Sequence, residues 1–398
     1  MIGDISRNPV DIRTLRVDQV GSLACPPELR NAFAAFDLGH MTAEDLERIK
    51  DAAVVATLRK QDQIGFPVVT DGELRRRNWQ DSFAGAVTGF DVPDRVSYDL
   101  VRDLGVSTKP LARAEQDFAA AGPAILTRRP VRERLRLTRN VPLKEFEFAK
   151  CHTSSTLKAT ILSPDRIVQR YDHENSRGIY KDKDAFLADV IAINREIIRG
   201  LVEAGCRYIQ VDAPGYTAYV DEISLNRMRA RGEDPEANLR RSINAENAMI
   251  EGFPGVTFGI HVCRGNARTR DPATGKLVAQ FHREGHYDAI AERLFTSLNH
   301  HRWLLEYDSD RAGGFEPLRF MPKGRVAVLG LVSTKANEIE SLDFLRQRVE
   351  IASRFIDLSQ LALSPQCGFG GSWAENVEID EQWKKFERMM EAARLIWN

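Results

Sequence analysis

Val256-Thr257-Phe258-Gly259-Ile260 runs directly into His261-Val262-Cys263-Arg264-Gly265-Asn266. The first five residues read as a short buried strand, and polar, metal-capable groups follow at its carboxyl end. The same arrangement recurs along the chain. Residues 16–20, 68–70, 157–161, 208–211, 303–306, 326–329 and 361–363 are further candidate strands. All but 157–161 open onto such groups: Gly21-Ser22, Asp71-Gly72-Glu73, Asp212-Ala213-Pro214, Glu306-Tyr307-Asp308, Ser333-Thr334-Lys335 and Gln366-Cys367-Gly368. Between them, residues 43–64, 183–204, 238–251, 287–298, 339–355 and 381–396 carry apolar groups at three- and four-residue spacing and read as helices. Strands alternating with helices imply parallel pairing. Eight of them predict an α/β fold, a (β/α)8 TIM barrel whose chemistry sits at the carboxyl ends of the strands.

Three stretches interrupt the alternation. Residues 91–140 are rich in arginine and read as an insertion after the second strand. Residues 266–284 are polar, with Asp271, Pro272 and Gly275 as turn signals, and read as a lid. Residues 311–323 are rich in glycine and proline. All three follow strand ends, so the barrel is expected to carry insertions in its βα loops. The whole chain, 1–398, reads as one catalytic domain; such barrels with insertions reach this length.

The composition excludes several classes. Of 398 residues, 43% are hydrophobic and 28% charged, and the formal net charge is -1. That balance offers no basic surface for nucleic acid or for an acidic membrane. Apolar runs are too short to span a bilayer, and the N-terminus lacks an apolar signal core, so a cytoplasmic location is expected. Five cysteines, an odd and sparse set, argue against a disulfide framework and leave thiols for metal or substrate.

His261 and Cys263 are two apart on a strand end, and in extended backbone residues i and i+2 point to the same side. Imidazole and thiol can then converge on one ion, and zinc takes nitrogen and sulfur ligands tetrahedrally. Cys367 is the candidate third ligand and Glu306 the fourth. The bland alternative is a buried histidine with inert core cysteines. Two thiolates and a carboxylate give a poor Lewis acid for water but a good holder of an incoming thiolate, so sulfur alkylation suits this set better than hydrolysis. Glu73 and Asp212 stand at the same mouth and could bind the ammonium group of an amino-acid thiol. Each could instead be a salt-bridged carboxylate, with Arg75, Arg76 and Arg77 close by in sequence. Ser22 could donate to a substrate carboxylate, although Gly-Ser is often only a turn.

Together these segments resemble the C-terminal barrel of cobalamin-independent methionine synthase, and more closely its short single-barrel relatives. The resemblance runs from Val17-Asp18-Gln19-Val20-Gly21-Ser22-Leu23 to Trp397. Its most specific parts are Thr70-Asp71-Gly72-Glu73-Leu74-Arg75-Arg76, the His261 segment, Leu305-Glu306-Tyr307-Asp308 and Leu363-Ser364-Pro365-Gln366-Cys367-Gly368-Phe369. It implies zinc held by His261, Cys263, Glu306 and Cys367, and homocysteine held by Ser22, Glu73 and Asp212. It implies a methyltransferase that makes methionine from homocysteine and a methyl donor, folate or corrinoid; a homo-oligomer is compatible with it. Three departures stand out. A second barrel, present in the long enzymes, has no room here. Ala213 replaces an acidic residue. Ser333 stands where the family has a histidine that assists methyl transfer, and is taken with Glu306 as a catalytic residue; His282 or His286 of the lid could supply the missing acid.

Three alternatives compete. A thiol such as coenzyme M could open an epoxide, as in the epoxyalkane transferases, but Glu73 and Asp212 have no task with a sulfonate. Porphyrinogen decarboxylation on a related barrel would leave the metal set idle. A non-catalytic zinc-binding protein would hold metal without exchanging a ligand for thiol.

Overall fold

A computed structural model describes residues 11–91, 129–266, 268–270, 277–279, 283–370 and 377–397. Strand β1 is Val68–Val69, followed by β2, Val87–Phe90, and β3, Val131–Leu137, which pair antiparallel beside the main sheet. Strands β4, Thr156–Leu162, β5, Tyr208–Asp212, and β6, Thr257–Val262, come next. Two short strands, β7, Arg268–Arg270, and β8, Leu277–Ala279, pair antiparallel. The last three are β9, Arg302–Glu306, β10, Val326–Val332, and β11, Leu361–Pro365. The main sheet is parallel and seven-stranded, in the order β1-β4-β5-β6-β9-β10-β11.

Residues 16–20, expected as a full strand, make one bridge instead: Val17 pairs with Leu363 of β11. Backbone bonds from Asp18 N to Leu363 O and from Leu363 N to Arg16 O hold it, both 2.8 Å. On its other side Gln19 Nε2 donates to Val68 O of β1 at 2.7 Å. One segment therefore touches both edges of the sheet, which must curl to bring them together. That contact to β1 runs through a side chain, so the backbone ladder stops at seven strands.

Strands β5, β6, β9, β10 and β11 are buried on both faces, as parallel sheets covered by helices require. The helix Lys183–Glu203 turns Phe186, Val190, Ile193, Ile197 and Leu201 inward, and the Asp182 carboxylate caps its start by accepting from Ala185 N at 2.7 Å. Thr42 caps Ala43–Ile64, and Gly65, at φ 75°, closes it in the left-handed conformation. The expected helix over 287–298 is broken. A 3-10 turn, Tyr287–Ala289, precedes the helix Ala291–Ser297, because Ile290 at φ -128° leaves the helical region. No helix among the described residues is long and apolar enough to cross a membrane. Of the expected insertion, 92–128 lie outside the described residues, and so do 267, 271–276 and 280–282 of the expected lid, including His282.

Register sets the site. Leu162, Asp212 and His261 are paired neighbours across β4, β5 and β6, and Gly330 of β10 pairs with Glu306 of β9. Parallel strands end together, so these residues share one face of the sheet.

Candidate metal and substrate site

His261, Cys263 and Cys367 meet at that face. Their ligand atoms all lie within 4.8 Å of one another, and the two sulfurs are 3.6 Å apart. Cys367 is 104 residues from Cys263 in sequence, and a hydrogen-bonded bracket brings their loops together. Asn266 Nδ2 donates to Thr334 Oγ1 at 2.9 Å and to Gly368 O at 2.8 Å, while Thr334 donates to Gln366 Oε1 at 2.9 Å. All these side chains are buried. Both ring nitrogens of His261 are buried without a hydrogen-bond partner, although the Cys263 thiol lies beside the ring. An imidazole so placed costs stability unless something else binds it. The hydrogen bond from Cys367, and then the imidazole, hold Cys263 well below the usual thiol range, against the burial that opposes them. That is the protonation state a metal ligand needs. The same hydrogen bond and burial push the Cys367 thiol well above the usual range, so the pair shares one proton that a metal would displace.

Glu306 stands at the same face with its oxygens already engaged. Oε2 accepts from the Arg264 backbone N–H, and Oε1 accepts from Arg311 and from Lys335 Nζ, the latter at 3.1 Å. Burial disfavours its charge, yet Lys335 and Arg311 outweigh it and hold the carboxyl down to about 2. Glu306 is thus an anion at this mouth, outside the three-residue group. Lys335 also binds Asp308 at 2.9 Å.

Glu73 and Asp212 are both buried. Glu73 Oε1 accepts from Thr160 Oγ1 at 2.6 Å, while Oε2 is buried and unpartnered. Its backbone is left-handed, φ 56°, the only described non-glycine residue so placed, a conformation that costs energy and favours functional sites. Burial, with Asp212 nearby, pushes its carboxyl up to about 8 although Arg76 opposes the shift. Of the three neighbouring arginines, Arg76 alone turns inward, 3.5 Å from Glu73 Oε1 and doubly bonded to Glu145. Arg75 pairs with Glu47 and Asp51, and Arg77 with Asp37. Asp212 Oδ1 accepts from Gln210 Nε2 at 2.7 Å, and burial raises its carboxyl too.

Ser22 is buried beside the Cys367 loop: a Cβ at Gly368 would fall 1.9 Å from Ser22 Oγ, so a side chain there would displace the Ser22 hydroxyl. Ser22, Glu73, Arg76, Trp79 and Phe369 line a cleft of about 180 Å³. Ser333 is tied elsewhere; its N–H donates to Glu340 at 2.8 Å and its Oγ accepts from Lys335 N at 3.3 Å. The group of that loop that reaches Glu306 is Lys335. Lys335, Arg311 and Asn266 join the site without a role assigned to them from the sequence; Asn266 stands in the strand-end motif that begins at His261. Lys335 stands in the strand-end motif Ser333-Thr334-Lys335, which is its signal in the sequence; Arg311 carries none.

No family model matches the chain. The uncharacterized protein YxjH of Bacillus subtilis (strain 168) is 32% identical over 391 residues, 96% of this chain and 94% of that protein. The chain belongs to one family with this protein and with proteins named methionine synthase. A protein named methionine synthase in Pyrococcus abyssi is 23% identical over 391 residues, 97% of this chain and 94% of its own. A Listeria monocytogenes structure named for vitamin-B12-independent methionine synthase has TM-score 0.71 and 25% identity, covering 96% of this chain and 98% of that one. Membership places this chain among the methyltransferases. The match to these relatives runs over nearly their full length.

Proposed function

We propose that this methionine synthase relative is a zinc-dependent methyltransferase that methylates a small thiol, homocysteine, to methionine. The observation that carries the reading is the convergence of His261, Cys263 and Cys367 around a buried, unpartnered imidazole. One nitrogen and two sulfurs at this spacing suit zinc, and these three residues with Glu306 would hold it. Zinc supplies thiol activation when bound, because it favours the thiolate, the nucleophilic form.

The chain's own residues do the rest. Glu73 and Asp212 receive the ammonium group of the thiol substrate; the unpartnered Oε2 of Glu73 accepts from it once the carboxyl has given up its proton, which the charge of the ammonium favours. Ser22 faces the substrate carboxylate. Lys335 and Arg311 keep Glu306 ionised and oriented. The sulfur then forms a bond to the methyl carbon as the bond from that carbon to the donor breaks, and the leaving group keeps the electron pair. Ser333 stands at the loop where a proton for that group would arrive, but a hydroxyl is a weak acid at neutral pH. A donor whose leaving group needs little protonation, such as a methylated corrinoid, therefore fits better than a polyglutamylated folate.

In the same reading the curled sheet is the closed (β/α)8 barrel of the family, with residues 16–20 as its first strand. Residues 1–398 form one catalytic unit with an insertion at 91–140 and a lid at 266–284, working in the cytoplasm. The test is zinc analysis of the purified chain, zinc-edge spectroscopy with and without homocysteine, and methionine formation from methylcobalamin and from methyltetrahydrofolate bearing one or three glutamates. A zinc spectrum that gains sulfur on adding homocysteine, with methionine formed, is expected. A chain without zinc, or a spectrum indifferent to homocysteine, overturns the reading. Turnover that needs the triglutamate tail overturns the donor assignment alone.

A further inference from the structure

Arg166, in the short helix Pro164–Gln169 after β4, reaches the loop that follows β1. Its Nε donates to Gln80 Oε1 at 3.3 Å, and its guanidinium lies 5.7 Å from the Trp79 ring centre. Trp79 also lines the cleft that holds Ser22 and Glu73. Among the described residues, the two terminal nitrogens of Arg166 donate to no protein atom and are not sealed from solvent. The carboxylate next to it, Asp165, is occupied by Ser242, Tyr219 and Gln169.

A second cation stands close by. Arg283 binds the carbonyls of Pro214 and Gly215 and the Gln169 side chain, and it too has no ion pair among the described residues. It reaches Thr217, whose hydroxyl donates to Cys263 O at 3.1 Å. Burial and the mutual repulsion of Arg166, Arg170 and Arg283 hold the Arg166 guanidinium well below its usual range. An unpaired, partly buried guanidinium among other cations is costly unless an anion completes it.

We propose that Arg166, backed by Arg283, forms an anion subsite at the β4–β5 rim of the mouth that takes a carboxylate or phosphate carried by the methyl donor. The proposal rests on the methyltransferase reading, which gives the thiol's ammonium to Glu73 and Asp212 and its carboxylate to Ser22. A further cation then falls to the other substrate. The planar fork of Arg166, with both terminal nitrogens open, matches the paired oxygens of such a group.

Calorimetric titration of the zinc-loaded full chain at low salt tests it, with inorganic phosphate and a triglutamate peptide as separate probes. Saturable binding of at least one probe is expected, with tenfold or greater loss in Arg166→Gln and a smaller loss in Arg166→Lys, which keeps the charge without the fork. Tighter phosphate binding assigns a phosphate-bearing donor; tighter triglutamate binding assigns a carboxylate-bearing one. Homocysteine affinity and zinc content, measured on the same preparations, are expected to be unchanged in Arg166→Gln. The proposal is overturned if neither probe binds the parent chain, if Arg166→Gln binds both as well as the parent, or if homocysteine is weakened by the same factor. Anion binding without methionine formation from any donor sinks the methyltransferase reading and leaves the anion site standing; methionine formation without anion binding does the reverse.

Discussion

Asp18, Lys158, Tyr208 and Arg302 are as deeply buried as His261, Cys263 and Glu73, and strands β4, β5 and β9 carry members of that first group. In the first group every polar head is matched within the chain. Asp18 accepts from Lys158 at 2.9 Å, from Arg302 at 2.9 Å and from Tyr208 at 2.6 Å. Lys158 also reaches Gln210 at 2.8 Å, and Arg302 reaches the carbonyls of Ile12 and Leu15. In the second group both nitrogens of His261 and one oxygen of Glu73 are buried with no partner. Burial and charge alone do not separate a structural cluster from a site. What distinguishes these two clusters is satisfaction: the first network is complete in the chain, and the second leaves ligand-capable atoms unpaired within it, close to two thiols.

The widest break in that comparison comes from the cysteines. Cys263→Ser and Cys367→Ser should each lose nearly all bound zinc after dialysis against a mild chelator, while circular dichroism reports an intact fold. Near-stoichiometric zinc in both variants would contradict the assignment. Asp18→Asn should do the opposite. It strands Lys158 and Arg302 without their carboxylate, at a cost of about 3–5 kcal/mol in urea unfolding, while the folded fraction keeps its zinc. An unchanged urea midpoint would show that this network is not what holds the sheet edges to residues 16–20.

A finer cut is Glu73→Gln. Homocysteine affinity should fall roughly ten- to hundredfold, through loss of about 1.5–3 kcal/mol of charge-assisted hydrogen bonding, with zinc unaffected. A thiol lacking the amino group should bind as before; an equal loss for both thiols would mean that Glu73 does not read the ammonium. The same variant has a pH signature. The folded Glu73 carboxyl is raised to about 8, so the unfolded chain gives up this proton first as pH rises. The contribution to stability is therefore present in acid and is lost as pH climbs from the ordinary carboxyl range through 8. Ligand-free Glu73→Gln should lose less stability than the parent over that window, as read from paired unfolding curves. The smallest effect belongs to Asn266→Ala, which loosens the bracket between the two cysteine loops. Zinc affinity should drop about tenfold in competition with a chromophoric chelator, with all ligands still present.

Local pattern carried much of the architecture. The helix Ala43–Ile64 and the carboxyl-end chemistry of β5, β6, β9 and β11 follow from three- and four-residue periodicity, short buried runs and capping residues, all of which act within a few positions. His261 and Cys263 share a side because extended backbone alternates. Whether Cys367 reaches them could not be read in that way; it depends on how far the sheet curls and on the bracket from Asn266 through Thr334 to Gln366. Packing also decided that residues 16–20 make a bridge, that Ser333 is tied to Glu340 and that Lys335 holds Glu306. The sequence by itself determined which groups stand at strand ends, because that is a property of short stretches. Only the tertiary structure decided which of those groups meet, which are already satisfied and which remain open, because hydrogen-bond partners and desolvation come from residues far apart in the chain.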